Sequence, residues 1–349
     1  MTIRPKTLCL IADARSPHTI KWVEGCAPLG WRIIVVSHWS GVIPGAEVIV
    51  HPLSLTGFWR YVWPVRRIIR KYEPDIVHAH QFGAHALYAW FSGYKRLVIS
   101  AWGSDILVRP KQSRFYRWLI KFLIVKADKI TADSDQVTEE LLRLGARLEQ
   151  VLNFPLGIKQ QVWERLRINQ PSTEPLRICS PRLHEPVYNI KLILEAFARI
   201  SAAHPQVQLW LLGDGSLTAD LKKYAQENHL ERAVFWGRLT PPEALNRIAQ
   251  SAVFVSVPSS DATPVSMLEG MASGSLPVVS NLPVYHDWIK DGEKGLIVDL
   301  KVEDLAAALG RSIEDQKLRE RAAGINRELI KERAIWEEQF AKMIEYYRS

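Results

Sequence analysis

Short apolar runs alternate with amphipathic stretches along almost the whole chain. Leu8–Ala12, Ile33–Ser37 (also β-branched), Asp75–His80, Leu97–Ala101 and Ala127–Ala132 read as strands, while His18–Pro28 reads as a helix. A polar, proline-bearing stretch, Asn169-Gln-Pro-Ser-Thr-Glu-Pro175, then reads as a linker or surface loop. A second series follows: strands at Leu176–Ser180, Val207–Leu212, Ala233–Trp236, Val253–Val257 and Leu276–Ser280. Helices are expected near Ile190–His204, Pro242–Ser251 and Pro264–Ser273. Alternation of this kind predicts parallel sheets covered on both faces, hence two consecutive doubly wound α/β domains, residues 1–168 and 169–324. Ligands of open α/β sheets bind at the C-terminal ends of the strands, so a central cleft facing both domains is the expected site. A last helix, about Ile325–Tyr347, carries one apolar stripe (Ile335, Trp336, Phe340, Met343, Ile344 and Tyr347). Residues 325–349 are expected to cross back onto the first domain.

Composition narrows the class. With 349 residues and 47% apolar content the chain is long enough for two globular cores. Cys9, Cys26 and Cys179 are far apart and lack metal-ligand spacing, which disfavours a disulfide framework and a zinc site. The N-terminus reads as the first core strand, not as a signal peptide, and no apolar run reaches the ~20 residues that span a bilayer. The expected location is cytoplasmic, in solution or peripheral on the inner face of the membrane. The net charge of +8 is uneven: residues 1–165 hold 23 Lys/Arg against 13 Asp/Glu, and nine of the 13 tryptophans. One half is therefore basic and aromatic, and the other nearly neutral.

The segment Ser259-Ser-Asp-Ala-Thr-Pro-Val-Ser-Met-Leu-Glu-Gly-Met-Ala-Ser-Gly-Ser-Leu-Pro-Val-Val279 bears the chemistry. Thr263 suits an N-cap and Pro264 the first helical position, which leaves the N–H groups of Val265, Ser266 and Met267 without intrahelical partners. Those donors and the helix dipole suit a diphosphate. Glu269, one turn after Val265, is placed to accept from ribose hydroxyls rather than to bind phosphate, and Asp261 to accept from hydroxyls of a sugar.

This segment resembles the Glu-x7-Glu signature of glycosyltransferase family 4, with Asp261 standing for the first Glu and Glu269 for the second. Pro277-Val-Val-Ser-Asn-Leu-Pro-Val-Tyr and Asp291-Gly-Glu-Lys-Gly-Leu-Ile-Val298 are also similar to that family. The resemblance implies a GT-B fold and a retaining glycosyltransferase, with two Rossmann-like domains, acceptor-binding and then donor-binding. It also implies that Val265–Leu268 hold phosphates, that Glu269 holds the ribose and that Asp261 contacts the donor sugar. Arg182, in Ser180-Pro-Arg-Leu183, matches the family's diphosphate arginine. A lysine expected about five residues later is missing; Lys191 either substitutes or is a surface residue, the second being favoured. Arg238 and Leu239, in Phe235-Trp-Gly-Arg-Leu239, resemble the loop that meets the base. Gly213 and Gly215 either admit a ligand to the backbone or form a tight turn.

The first half matches more loosely. His18 follows the first strand, and Trp102 stands where many relatives carry a histidine. An acceptor-binding role is assigned to His18, to Trp102 as a stacking face and to Asp105 as a hydroxyl acceptor. His78 and His80 share one strand face, but no third ligand is evident, so no metal and no cofactor are expected beyond the nucleotide sugar as co-substrate. Two basic stretches with aromatics, 59–71 and 106–127, suit an anionic membrane or a solvated helix face equally. The second is read with Arg114, Arg117 and Lys121 on one helical face and Phe115, Trp118, Leu119 and Phe122 opposite. Nucleic acid is not expected.

The function implied is transfer of a sugar from a nucleotide diphosphate sugar, UDP favoured over GDP, to a glycan or lipid-linked acceptor. Cell-surface polysaccharide or glycolipid synthesis is the setting. The rival is a catalytically silent GT-B partner that binds nucleotide sugars or membranes, supported by Asp261, Trp102 and the missing lysine.

Overall fold

The computed structural model describes residues 5–171, 175–261 and 265–349. The chain divides into two compact units, one running to Pro155 and taking back Glu337–Ser349, the other Leu156–Trp336. The expected boundary at 168 moves back because the helix Gln160–Leu166 buries Trp163 and Leu166 among Phe254, Met267 and Leu268 of the second unit.

The first unit holds seven strands: β1 (Thr7–Ile11), β2 (Arg32–Ser37), β3 (Glu47–Val50), β4 (Ile76–His80), β5 (Leu97–Ser100), β6 (Lys129–Ala132) and β7 (Val151–Asn153). All pair in parallel, in the order β3-β2-β1-β4-β5-β6-β7. The second holds β8 (Leu176–Ser180), β9 (Val207–Leu212), β10 (Ala233–Gly237), β11 (Val253–Ser256), β12 (Leu276–Ser280) and β13 (Leu296–Val298), again parallel, in the order β10-β9-β8-β11-β12-β13. Central strands such as β1, β4, β11 and β12 are buried at every position, as strands covered by helices on both faces must be. Strand order reverses at β1/β4 in one sheet and at β8/β11 in the other. Those two switch points are where each sheet opens a crevice past its C-terminal edge.

Three strands escape the periodicity. β3, β7 and β13 have three or four residues and lie at sheet edges, and two of them are only half-buried, so little apolar pattern is demanded of them. The last helix also differs from expectation: it breaks into Gln316–Arg333 and Trp336–Arg348. Ile335 pairs with Ile158 like a strand, with Ile158 N–H on the Ala334 carbonyl and Trp336 N–H on the Ile158 carbonyl, both 2.8 Å. Gly157 makes this approach feasible, since a Cβ there would collide with the Ala334 carbonyl. Beyond the break, Phe340, Met343 and Tyr347 are buried in the first unit.

The helix Arg114–Lys126 corrects the expected two-faced division. Its buried side is Tyr116, Leu119, Ile120, Leu123 and Ile124, while Phe115 and Trp118 are 63% and 60% exposed and lie beside the basic residues.

Candidate functional site

In the second unit the chemistry gathers at the β8/β11 switch point. Arg182 lies two residues past β8, and Asp261 follows β11 by a short loop. The Arg182 guanidinium donates from Nη2 to Asp261 Oδ2 at 2.8 Å, the two side chains being 10% and 14% exposed. The same oxygen accepts from the Tyr285 hydroxyl at 2.9 Å. Tyr285 comes from the turn of helix Pro283–His286 that follows β12, and is fully buried. Tyr188 places its ring 4.3 Å from the guanidinium carbon. Burial works against the charge on Arg182, but Asp261 and the two tyrosines outweigh it and hold the guanidinium protonated. Burial and then the Asp261 charge push the Tyr285 hydroxyl far up, so it remains a donor. Arg182 Nε is buried and has no hydrogen-bond partner among the described residues.

Gly213 and Gly215 shape the floor under this arginine. At Gly213, with φ +117°, a Cβ would stand 2.8 Å from the Arg182 carbonyl oxygen; at Gly215 it would stand 2.6 Å from that of His184. The glycines thus let the loop after β9 press on the loop after β8. His184 N–H donates to the Asp214 carbonyl at 3.3 Å, and Leu217 N–H to the His184 carbonyl at 2.9 Å. On its other side the β8 loop is tied to the loop after β11, by Ser259 N–H to the Val187 carbonyl (2.9 Å) and Asn189 Nδ2 to the Val257 carbonyl (2.8 Å).

The helix Val265–Ser273 buries Met267, Leu268, Met271 and Ala272 and leaves Val265, Ser266 and Glu269 half-buried. These three fall within one ~100° sector of the helix, so its accessible side holds the first-turn donors and the carboxylate together. Thr263, expected as the cap, and Pro264 lie outside the described residues. Arg238 is exposed just past β10, and Leu239 packs beside Trp210, Leu212 and Ile248. Gly213 N–H on the Gly237 carbonyl, 2.8 Å, joins the ends of β9 and β10 there. Lys191 is not brought to Arg182: it stands exposed on helix Ile190–Ser201, 3.8 Å from Glu195 and over the Tyr224 ring.

At the β1/β4 switch point of the first unit the residues are rings. His18, exposed on helix Pro17–Gly25, stacks on half-buried Trp102 with centroids 5.0 Å apart. Trp22 and His80 meet the Trp102 ring edge-on at 6.2 and 5.4 Å. Buried His78 places Nδ1 2.5 Å from the Tyr347 hydroxyl and Nε2 2.8 Å from Ser100 Oγ. The Tyr347 hydroxyl also accepts from Trp22 Nε1 at 3.0 Å. Burial pushes the His78 pKa down to about 3, and burial with neighbouring histidines pushes His80 well below its ordinary value. Both rings are neutral at neutral pH.

Asp105, expected to meet an acceptor hydroxyl, is instead 1% exposed, with Oδ2 accepting from Phe82 N–H (2.8 Å) and Oδ1 from Trp102 N–H (3.0 Å). It braces the loop that carries Trp102. Among the described residues no group of three or more His, Cys, Asp or Glu side chains could hold a metal ion.

Sequence reasoning missed Tyr285, Tyr188 and His184. Tyr285 stood inside the quoted Pro277–Tyr285 stretch, but only the fold shows its hydroxyl reaching Asp261.

The profile of Glycosyl transferases group 1 matches residues 163–328, and that of Glycosyl transferase 4-like matches residues 7–134, so the two account for most of the chain. An alpha-monoglucosyldiacylglycerol synthase of Streptococcus pneumoniae is 25% identical over 267 residues, 69% of this chain and 59% of that protein. The chain thus spans well under two thirds of that relative. A lipopolysaccharide core biosynthesis glycosyltransferase of Rhizobium meliloti is 29% identical over 265 residues, 74% of this chain and 71% of that protein. Among solved structures, Anabaena HepE in complex with UDP and glucose superposes with a TM-score of 0.77 at 17% identity, covering 99% of this chain and all of the other. With two doubly wound parallel sheets and both profiles in register with them, the chain belongs to the GT4-type glycosyltransferases of the GT-B fold.

Proposed function

We propose that the chain transfers a sugar from a uridine diphosphate sugar to a hydroxyl of a glycolipid or lipid-linked glycan, with retention at the anomeric carbon. The observation that carries this is the buried arginine Arg182, held by Asp261 at a sheet switch point and followed by a helix whose open side bears Glu269. A leaving diphosphate gathers negative charge as its C–O bond breaks, and a guanidinium with first-turn amides offsets that charge where water is scarce. Val265–Leu268 supply the amides, Glu269 accepts from the ribose, and Arg238 and Leu239 meet the base. Arg182 and the first-turn amides furnish the positive potential without a resident metal.

In this reading the diphosphate draws Arg182 away from Asp261, which frees the carboxylate for a hydroxyl of the donor sugar. The acceptor oxygen then bonds to the anomeric carbon on the face that the diphosphate leaves, and the acceptor proton passes to a phosphate oxygen. His18 and Trp102 offer a ring face to the acceptor. Relatives named for a diacylglycerol glycolipid and for lipopolysaccharide core support a lipid-linked acceptor. HepE, solved with UDP and glucose, supports uridine. These relatives carry transferase or synthase names, which does not favour a catalytically silent role.

Calorimetric titration with UDP, GDP and ADP tests the donor site. Micromolar binding of UDP, weakened about tenfold or more in Glu269→Ala, is expected from loss of a charged hydrogen-bond acceptor. Preference for GDP would transfer the reading to guanosine sugars. Binding of no nucleotide would overturn it.

A further inference from the structure

The outer surface of the first unit carries seven aromatic rings in unbroken contact across three helices. On helix Phe58–Tyr72 the buried side is Phe58, Val62, Val65 and Ile69, yet Trp59 and Trp63 point outward, 75% and 59% exposed. Both meet Phe91 edge-on, with centroids 6.4 and 5.4 Å away. Phe91 adjoins Trp90 at 5.8 Å on helix Ala84–Phe91, and Trp90 meets Phe122 at 4.8 Å. The row continues on helix Arg114–Lys126 through Trp118, stacked on Phe122 at 5.8 Å, to Phe115 at 6.1 Å. Val125, 71% exposed, extends the apolar strip.

Charge runs alongside the rings. The two long helices contain Arg60, Arg66, Arg67, Arg70, Lys71, Arg114, Arg117, Lys121 and Lys126 and no acidic residue. None of these cations is ion-paired among the described residues; Arg66 instead donates to the Phe91 carbonyl at 3.1 Å, and Lys126 lies over the Phe122 ring. Each helix has already satisfied its core with a separate apolar side. The exposed aromatics are therefore surplus to folding, and a contiguous patch of this kind marks a contact surface.

We propose that this aromatic ridge is a docking plane for an anionic lipid bilayer, with Trp59, Trp63, Phe115 and Trp118 seated at the headgroup level and the flanking cations on lipid phosphates. The proposal deepens the functional reading above, since a lipid-linked acceptor is held at such a surface, and it rests on that reading only for its purpose. Amphipathic aromatic rings settle at the interface between water and hydrocarbon, and unpaired Lys and Arg draw them to negative headgroups. A second copy of the chain fits poorly, because a two-fold contact would set these cations against their own symmetry mates. Single-stranded nucleic acid fits poorly as well, because most rings meet edge-to-face and leave no gap for a base.

The test is flotation of the protein with phosphatidylglycerol–phosphatidylcholine vesicles and with pure phosphatidylcholine vesicles, at low and high salt. Partition into the anionic vesicles is expected to be about tenfold or more above the neutral ones and to fall with salt, with a blue shift of tryptophan emission. Trp59→Ala/Trp63→Ala/Trp118→Ala should lose about tenfold in partition, and Arg114→Ser/Arg117→Ser/Lys121→Ser a similar amount, with a weaker dependence on salt than the parent. Nucleotide titration of each variant separates this result from the donor site, since UDP affinity should stay unchanged. Absence of vesicle binding at low salt, or full binding by a well-folded triple tryptophan variant, overturns the proposal. So does sedimentation showing that the ridge mediates self-association, or displacement of the protein from vesicles by oligonucleotide.

Discussion

At the switch point of its second sheet the chain sets a guanidinium against a carboxylate and two tyrosines; at that of the first it sets neutral imidazoles among indole rings. The scaffolds that hold these groups are alike in strand direction and in having a reversal of order beside the first strand of each sheet. Side chains alone divide the labour. Past β8 and β11, burial is offset by pairing, so charge survives, and in the proposed reading it is handed to a phosphate. Past β1, β4 and β5, burial is not offset and pushes the His78 and His80 pKa values down, and the accessible rings beside them are those of His18 and Trp102. In the proposed reading a shared backbone thus serves an anion at one switch point and an uncharged group at the other.

Removing the charge from the second site breaks the contrast most severely. Arg182→Ala leaves Asp261 largely buried without its cation, and the transfer rate should fall on the order of 10²–10³ with loss of measurable UDP binding. Arg182→Lys, a point charge in place of a fork, should recover only part of it. Retention of near-normal turnover in the alanine variant would remove Arg182 from the reaction. Gly213→Ala attacks the same arginine through the backbone. Its Cβ would stand 2.8 Å from the Arg182 carbonyl at a φ of +117°. A stability loss of about 2–3 kcal/mol, measured by urea titration, and a weaker UDP affinity are expected together. A variant as stable as the parent would show that the two loops have room to part.

Much of this division was legible in the sequence. The central strands are fully buried, so their apolar runs announced themselves, and the 21 residues from Ser259 to Val279 carry a helix and the strand that follows it. Asp261 and Glu269 could be read there from the spacing about one helix start, and Arg182 from the resemblance of Ser180-Pro-Arg-Leu183 to the family. The edge strands β3, β7 and β13 could not, since edges place little demand on residue type. Nor could the Tyr285 hydroxyl or the inward turn of Asp105, which depend on where separate loops meet. The exposed tryptophans were visible as residues but not as a surface. Only the packed structure shows that each helix buries a different side.

The first site has its own charged group, and pH addresses it. Burial lifts the Asp105 carboxyl to about 6, against the pull of the amide bonds from Phe82 and Trp102. A carboxyl whose folded pKa lies above its unfolded value of ~3.9 is favoured protonated in the fold. Its contribution is full below about pH 4, is lost as pH rises through the window to about 6, and is flat above, about 2–3 kcal/mol in all. Asp105→Asn cannot titrate. Urea titrations at pH 4 and pH 7 should therefore differ less in the variant than in the parent, by about that amount. An identical pH slope in both proteins would assign the titration elsewhere. The asparagine should also loosen the loop carrying Trp102, because its amide nitrogen faces one of two N–H groups.

The finest division of the second site is made by one hydroxyl. Tyr285 and Arg182 bind the same oxygen of Asp261, at 2.9 and 2.8 Å, so the tyrosine holds the carboxylate in place whether or not the arginine is engaged. Tyr285→Phe keeps the buried ring and removes only that donor, which is worth about 0.5–1.5 kcal/mol to a neutral partner and more to a charged one. UDP, which has no sugar to meet Asp261, should bind the variant within about threefold of the parent, while kcat with the UDP sugar falls about five- to tenfold. Asp261→Ala should abolish the difference between the tyrosine and phenylalanine forms, a coupling that a double-mutant cycle reads directly. Equal losses for UDP and UDP sugar, accompanied by lower stability, would reduce Tyr285 to packing. An unchanged kcat would leave Arg182 alone to orient the acid.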